Sequence, residues 1–213
     1  MKKLNKTSII IAASFLAAFI VFTVLVCTVD VSEIGYVRTR VGFSHINARF
    51  HELTGVHMSL YYATDALSLL PIGVVVAYAA LGLAQWVRRR RLPLVDRSIL
   101  LLGALFAVLA ALFAVLEMLA VNYRPILIDG VHEVSYPSST TLLFATVMPT
   151  AAMEMRGRIR SRATGRALLF ISVAVTVLVV AARCISGVHW LTDIVGGVLL
   201  SSGLVMLFSA FFL

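Results

Sequence analysis

Most apolar residues in this chain neither alternate nor recur on one face of a short helix. They form long runs over about 8–29, 58–87, 99–121, 138–155, 167–183 and 190–212, with the polar residues gathered between them. Most runs reach the roughly 17–25 residues a membrane helix needs, and the two shorter ones can borrow flanking residues. The pattern predicts an all-α fold: an integral membrane bundle of six transmembrane helices, forming one membrane-embedded domain over residues 1–213. The first run is longer than a signal-peptide core and no small-x-small cleavage site follows it, so it reads as a retained first span.

The segments between the runs refine this picture. Residues 31–57 form the most polar connection. Within it Ile46, Phe50 and Leu53 share one helical face, while Asn47, Arg49, His51 and Glu52 fall elsewhere. That spacing predicts an outer-face amphipathic helix, acting as a clamp over the bundle or as a lid for a lipid. His45, His51 and His57 recur every six residues, which does not align them on one face, so no metal site is expected. Pro71 and Gly73 permit a kink in the second span, and Asp96 stands where it can cap the third. Gly196-Gly197 allows the last helix to pack closely.

Composition agrees with the membrane reading. The chain is 61% hydrophobic and 13% charged, whereas a soluble domain carries about 25% charged residues. The net charge of +8 is unevenly placed: 13 of the 18 Lys and Arg residues fall in three clusters. These are Lys2, Lys3 and Lys6, then Arg88–Arg91 with Arg97, then Arg156, Arg158, Arg160, Arg162 and Arg166. The positive-inside rule puts these clusters and both termini in the cytoplasm, and the alternate loops on the outer face of the cell membrane. The arginine runs are therefore topology signals that touch anionic lipid, and nucleic acid is not an expected partner. Cys27 and Cys184 are expected as free thiols.

The candidate chemistry lies on the outer side. His189 and Asp193 are four residues apart at the start of the last run, so a helix there puts both on one face. The carboxylate can hold one imidazole nitrogen and leave the other nucleophilic. Arg183 ends the preceding run and offers a planar cation suited to a phosphoryl group. Arg124, before Pro125, reaches the same side. Pro137-Ser138-Ser139-Thr140 opens the fourth span as a helix N-terminus ready for an anion. Glu117 lies seven residues before Arg124, which in a continuous helix is one shared face with roughly 10 Å of rise between them.

These residues resemble the type-2 phosphatidic acid phosphatase superfamily, the membrane lipid phosphatases related to bacterial acid phosphatases and vanadium haloperoxidases. Its three motifs are Lys-x6-Arg-Pro, Pro-Ser-Gly-His and Ser-Arg-x5-His-x3-Asp. Here they read Glu117-x6-Arg124-Pro125, Pro137-Ser138-Ser139-Thr140 and Ala182-Arg183-x5-His189-x3-Asp193. The resemblance implies that His189 is the phosphoryl-accepting nucleophile and that Asp193 orients it. It implies that Arg124, Arg183, Ser138, Ser139 and Thr140 surround the phosphate of a membrane lipid substrate, without a metal ion or other cofactor. Glu117 replaces the family lysine, and Thr140 replaces the histidine that protonates the leaving group. Three consequences are open. The substrate can be a polyprenyl diphosphate, whose leaving group is a weak base. Another acid can serve, His132 or a buried protonated Glu117. Or the chain can be a lipid-phosphate binder or transporter, with a lipid phosphotransferase as a further reading.

Overall fold

The computed structural model describes residues 5–212, so Lys2 and Lys3 of the first basic cluster lie outside the described residues. Helix α1 spans Lys6–Thr28, and its N-terminus is capped by Asn5, which accepts from the Ser8 amide at 3.3 Å. A two-stranded antiparallel hairpin follows, β1 Ser32–Ile34 and β2 Thr39–Val41. Then come α2 Ser44–Thr54, α3 Met58–Leu67 and α4 Leu69–Arg89. A 3-10 turn at Leu92–Leu94 leads to α5 Arg97–Leu119, α6 Ser139–Arg158, α7 Arg162–Ile185 and α8 Leu191–Phe212.

Among the described residues, five stretches are long and apolar enough to cross a membrane: α1, α3 with α4, α5, α7 and α8. The stretch expected as a fourth span forms α6, but it is not among these five. Its sequence explains why. Helix α6 carries Thr140, Thr141, Thr146, Thr150 and Glu154, all buried. It is enclosed by α4, α5, α7 and α8, so its polar side chains meet protein rather than lipid.

Helix α8 is the other central element, and its small residues make that possible. A Cβ at Gly203 would approach Leu16 of α1 to 2.7 Å, and one at Gly196 would meet the Tyr136 ring at 2.7 Å. A Cβ at Gly197 would stand 2.9 Å from Thr141 of α6. The expected close packing at Gly196-Gly197 is thus realised against Tyr136 and α6. Leu102, Leu142, Leu200, Leu204 and Phe208 complete the apolar core between these helices.

The bend in the second long stretch falls at Ser68, where α3 ends and α4 begins, rather than at Pro71 itself. Proline cannot donate to the carbonyl four residues back and its ring crowds that carbonyl, here Leu67. Asp96 does sit at the N-cap of α5, but its side chain makes no cap hydrogen bond. Its carboxylate instead accepts from Gln85, Arg89 and Arg158, which holds it down to about 2. This network belongs to the end of the bundle opposite the candidate site.

Helix α2 docks the reverse way from a soluble amphipathic helix. Ser44 and Asn47 are buried, while Ile46 and Leu53 are 56% and 71% exposed. Asn47 fixes it in place: its Nδ2 donates to the Gly42 carbonyl at 2.8 Å and to Thr192 Oγ1 at 3.0 Å, and its Oδ1 accepts from the Thr192 amide at 3.2 Å. The helix is bolted to the start of α8 by polar contacts and turns its apolar face away from the protein.

Candidate active site

The turn between α7 and α8 is held by backbone contact. Gly187 has φ +70°, and a Cβ there would lie 1.9 Å from the Gly55 carbonyl. The His57 amide donates to the Ser186 carbonyl at 2.9 Å. Beyond this turn α8 starts with half of a capping box: Asp193 Oδ2 accepts from the Trp190 amide at 3.0 Å. Its other oxygen, Oδ1, accepts from Asn122 Nδ2 at 3.0 Å. Asp193 is fully buried, and these two donors fix its plane.

His189 stands against that carboxylate, with Nδ1 3.5 Å from Asp193 Oδ2. On the other side of the ring, Arg124 Nη1 lies 3.3 Å from Nε2. A guanidinium has donors only. Nε2 is therefore the acceptor, and in the neutral ring the proton sits on Nδ1, facing Asp193. Burial first, then the charge of Arg124, lowers His189 to about 4, with Arg183 adding to the shift and Asp193 opposing it. At neutral pH the ring is uncharged, with a lone pair pointing at the arginine.

The two arginines come from distant elements and meet over one ring. Arg124 lies in the connection between α5 and α6, where Tyr123 bridges Val134 and the Arg124 amide donates to the Glu133 carbonyl at 3.0 Å. Its Nε is 2.9 Å from Glu133 Oε2. Arg183, 1% exposed, donates from Nη1 to the Tyr61 carbonyl at 3.2 Å and to Thr64 Oγ1 at 3.1 Å. Its Nη2 is 3.7 Å from Asp65 Oδ1, and its Nε is buried without a hydrogen-bond partner. The Cζ atoms of Arg183 and Arg124 lie 4.5 and 5.6 Å from the centroid of the Tyr61 ring. Cation–π contacts of this kind are worth about 2 kcal/mol where water is excluded.

The structure thus brings Arg124, Arg183, His189 and Asp193 to one end of the bundle. It treats the other predicted residues unequally. Ser138 is the N-cap of α6, one residue after Pro137, so Pro137 precedes the helix instead of starting it. Its Oγ accepts from the Thr141 amide at 3.4 Å and the Thr141 hydroxyl at 3.1 Å, and its amide donates to the Asp193 carbonyl at 3.2 Å. The start of α6 therefore abuts the start of α8. Thr140 is buried and accepts from Ser68 Oγ at 3.3 Å. Ser139 faces an apolar groove of about 250 Å³ between α4, α5 and α6, beside Ile72, Phe113 and Leu142. Its side chain does not join Ser138.

Glu117 is exposed, and among the described residues it forms no ion pair with Arg124 or Arg183. Helix α5 stops at Leu119, and Ala120 turns left-handed at φ +47°. The helical spacing that would align Glu117 with Arg124 is broken between them. His132 stacks on Tyr123, with ring centroids 4.5 Å apart, and its Nε2 is buried without a partner.

Sequence reasoning missed Tyr61, Thr64, Asn122 and the Asn47–Thr192 pair. Asn122 alone carried a signal, as a polar residue beside the Tyr-Arg-Pro exit of α5. Cys27 and Cys184 are free thiols, as expected.

Residues 120–213 match the family model described as the PAP2 superfamily. Among solved structures, the chain is similar to a transmembrane PAP2-type phosphatidylglycerolphosphate phosphatase from Bacillus subtilis. The TM-score is 0.69 at 19% identity, covering 94% of this chain and 95% of that one. No curated protein gives a significant match. At that identity the structural likeness speaks for a shared multi-pass helical fold, and the family model speaks for the C-terminal stretch that carries His189 and both arginines. Residues 120–213, which hold His189 and both arginines, are those that match the PAP2 superfamily.

Proposed function

We propose that the protein is a membrane lipid phosphatase that cleaves a lipid (di)phosphate through a phosphohistidine at His189. The observation that carries this reading is the pose of that ring: Nδ1 toward Asp193, and Nε2 toward Arg124 at 3.3 Å. Nε2 attacks the terminal phosphorus, and the bond from phosphorus to the leaving oxygen breaks. The leaving group departs with the bridging oxygen. The ring becomes cationic on phosphorylation, which tightens its pairing with Asp193. Water then adds to phosphorus, the P–N bond breaks, and inorganic phosphate leaves. Arg124, Arg183 and the start of α6 carry the phosphate charge, which is most of what phosphoryl transfer asks of a protein.

Thr140 supports a diphosphate as substrate. A hydroxyl held by Ser68 is a poor acid, yet a phosphate monoester is a far weaker base than an alkoxide. General acid help, worth about 10²–10⁴-fold elsewhere, then matters little. The substrate class favoured is a polyprenyl diphosphate, converted with one water to the monophosphate and inorganic phosphate. The competing class is a phospholipid monoester; the similar Bacillus subtilis protein is named as a phosphatidylglycerolphosphate phosphatase.

The basic clusters support a cytoplasmic placement of the end opposite His189, with the site at the outer face and α6 as a sixth, protein-enclosed span. The outward Ile46 and Leu53 of α2 support its lying in the outer interface of the bilayer. The test is phosphate release by the purified protein from matched prenyl diphosphate, prenyl monophosphate and phosphatidic acid. The reading expects release mainly from the diphosphate, abolished in His189→Ala. Preferential release from the monoesters overturns the leaving-group argument. Binding that depends on Arg124 and Arg183 without any release makes the protein a lipid-phosphate binder.

A further inference from the structure

We infer that Tyr61 is a positioning residue that sets the separation of the two arginines, so that one tetrahedral oxyanion bridges them; this rests on the phosphatase reading above. Two buried guanidinium groups repel each other, and the fold must still hold both close together. Arg183 and Arg124 approach the same ring, at 4.5 and 5.6 Å from its centroid. The negative face of an aromatic ring attracts both cations without neutralising either. The counter-ions differ from the ring in this respect. Glu133 and Asp65 have side chains 40% and 58% exposed, and an incoming anion competes with them for the same donors. Tyr61 is only 7% exposed and does not compete.

The backbone of the same residue completes the device. The Tyr61 carbonyl and the Thr64 hydroxyl take Arg183 Nη1, leaving its Nε buried and unpartnered. Arg183 thus cannot slide along the ring. Arg124 is tied separately, by Glu133 and His189. Tyr61 belongs to α3, outside the stretch that matches the family model. The three motifs alone therefore do not make the cradle, and its width is set by a residue from the first half of the chain.

The experiment compares Tyr61→Phe, which keeps the ring, with Tyr61→Leu, which keeps an apolar side chain and the backbone carbonyl but removes the π face. Orthovanadate affinity is measured by titration alongside kcat and KM for a prenyl diphosphate, and each variant is checked for monodispersity and thermal unfolding. Tyr61→Phe is expected within threefold of wild type in all three. Tyr61→Leu is expected to lose at least tenfold in vanadate affinity and in kcat/KM while unfolding within a few degrees of wild type. A folded Tyr61→Leu that binds vanadate as wild type does overturns the inference. So does Tyr61→Phe losing as much as Tyr61→Leu, or a Tyr61→Leu that does not fold together with a Phe variant below one tenth of wild-type affinity. In each of these cases, turnover that still requires His189 leaves the phosphatase reading standing. Wild-type protein that neither binds vanadate nor releases phosphate removes that reading, and this inference with it.

Discussion

Arg124 Nη1 sits 3.3 Å from His189 Nε2, directly over the atom that would attack phosphorus. On the proposed mechanism, Arg124 thus stands beside the attacking nitrogen. A phosphate that enters between them replaces one contact with two, from nitrogen to phosphorus and from guanidinium to oxygen. Arg124→Gln is expected to lower kcat/KM by ~10²-fold or more, the scale found for losing one preorganised donor at a developing charge. Steady-state kinetics on the diphosphate substrate checks this.

The same contact predicts a pH profile. His189 is lowered to about 4 by burial and by Arg124. Its folded value lies below its ordinary value near 6.5, so the ring stays neutral and competent as pH falls from 6.5 and is lost only near 4. The acid limb of kcat/KM, corrected for the separately measured ionisation of the substrate, is expected near pH 4. In Arg124→Gln it moves upward, because a cation that opposed protonation is gone. A wild-type limb at 6.5 would contradict this electrostatic picture.

Asn122 is expected to act through Asp193. Its Nδ2 is the side-chain donor to Oδ1. Asn122→Ala leaves a buried carboxylate oxygen unpaired, a cost of about 1–3 kcal/mol. The expected result is a fall of ~10–100-fold in kcat with KM little changed. A variant altered in KM alone would place Asn122 at the substrate instead.

How much of this was readable from sequence depended on distance along the chain. The 183–193 corner was legible because one short turn joins two helix ends, so spacing nearly dictates geometry. Membership of Arg124 was legible because it follows the apolar run 99–121 by three residues, on the same side as Arg183 and His189. Glu117 was misplaced because nothing in the sequence signals that Ala120 leaves the helix. Ser139 was misplaced because one residue on a helix is a turn of about 100°, enough to carry a side chain from the site to the apolar groove between α4, α5 and α6. Tyr61 and Thr64 reach Arg183 across 122 and 119 residues, and Asn47 reaches Thr192 across 145. No local pattern encodes such contacts.

Glu117 now carries a simple expectation. Being exposed at the end of α5, it is expected to tolerate Glu117→Gln with activity within about twofold of wild type, as for most surface positions. Activity assays over the whole pH range check this, and complete loss would restore a proton-transfer role.

Gly187→Ala addresses the fold beneath the site. The residue is at φ +70°, and its new methyl would meet the Gly55 carbonyl. The combined backbone and packing penalty is ~2–5 kcal/mol, expected as a clear drop in thermal unfolding temperature and in yield of folded protein.

The most direct test of the central claim is to trap the phosphoenzyme. Purified protein is quenched in base during turnover of a terminally labelled lipid diphosphate, and the label is mapped by peptide. Base-stable, acid-labile phosphate on the peptide holding His189, absent from His189→Ala, is the predicted result. Undiminished phosphate release by His189→Ala would contradict the account.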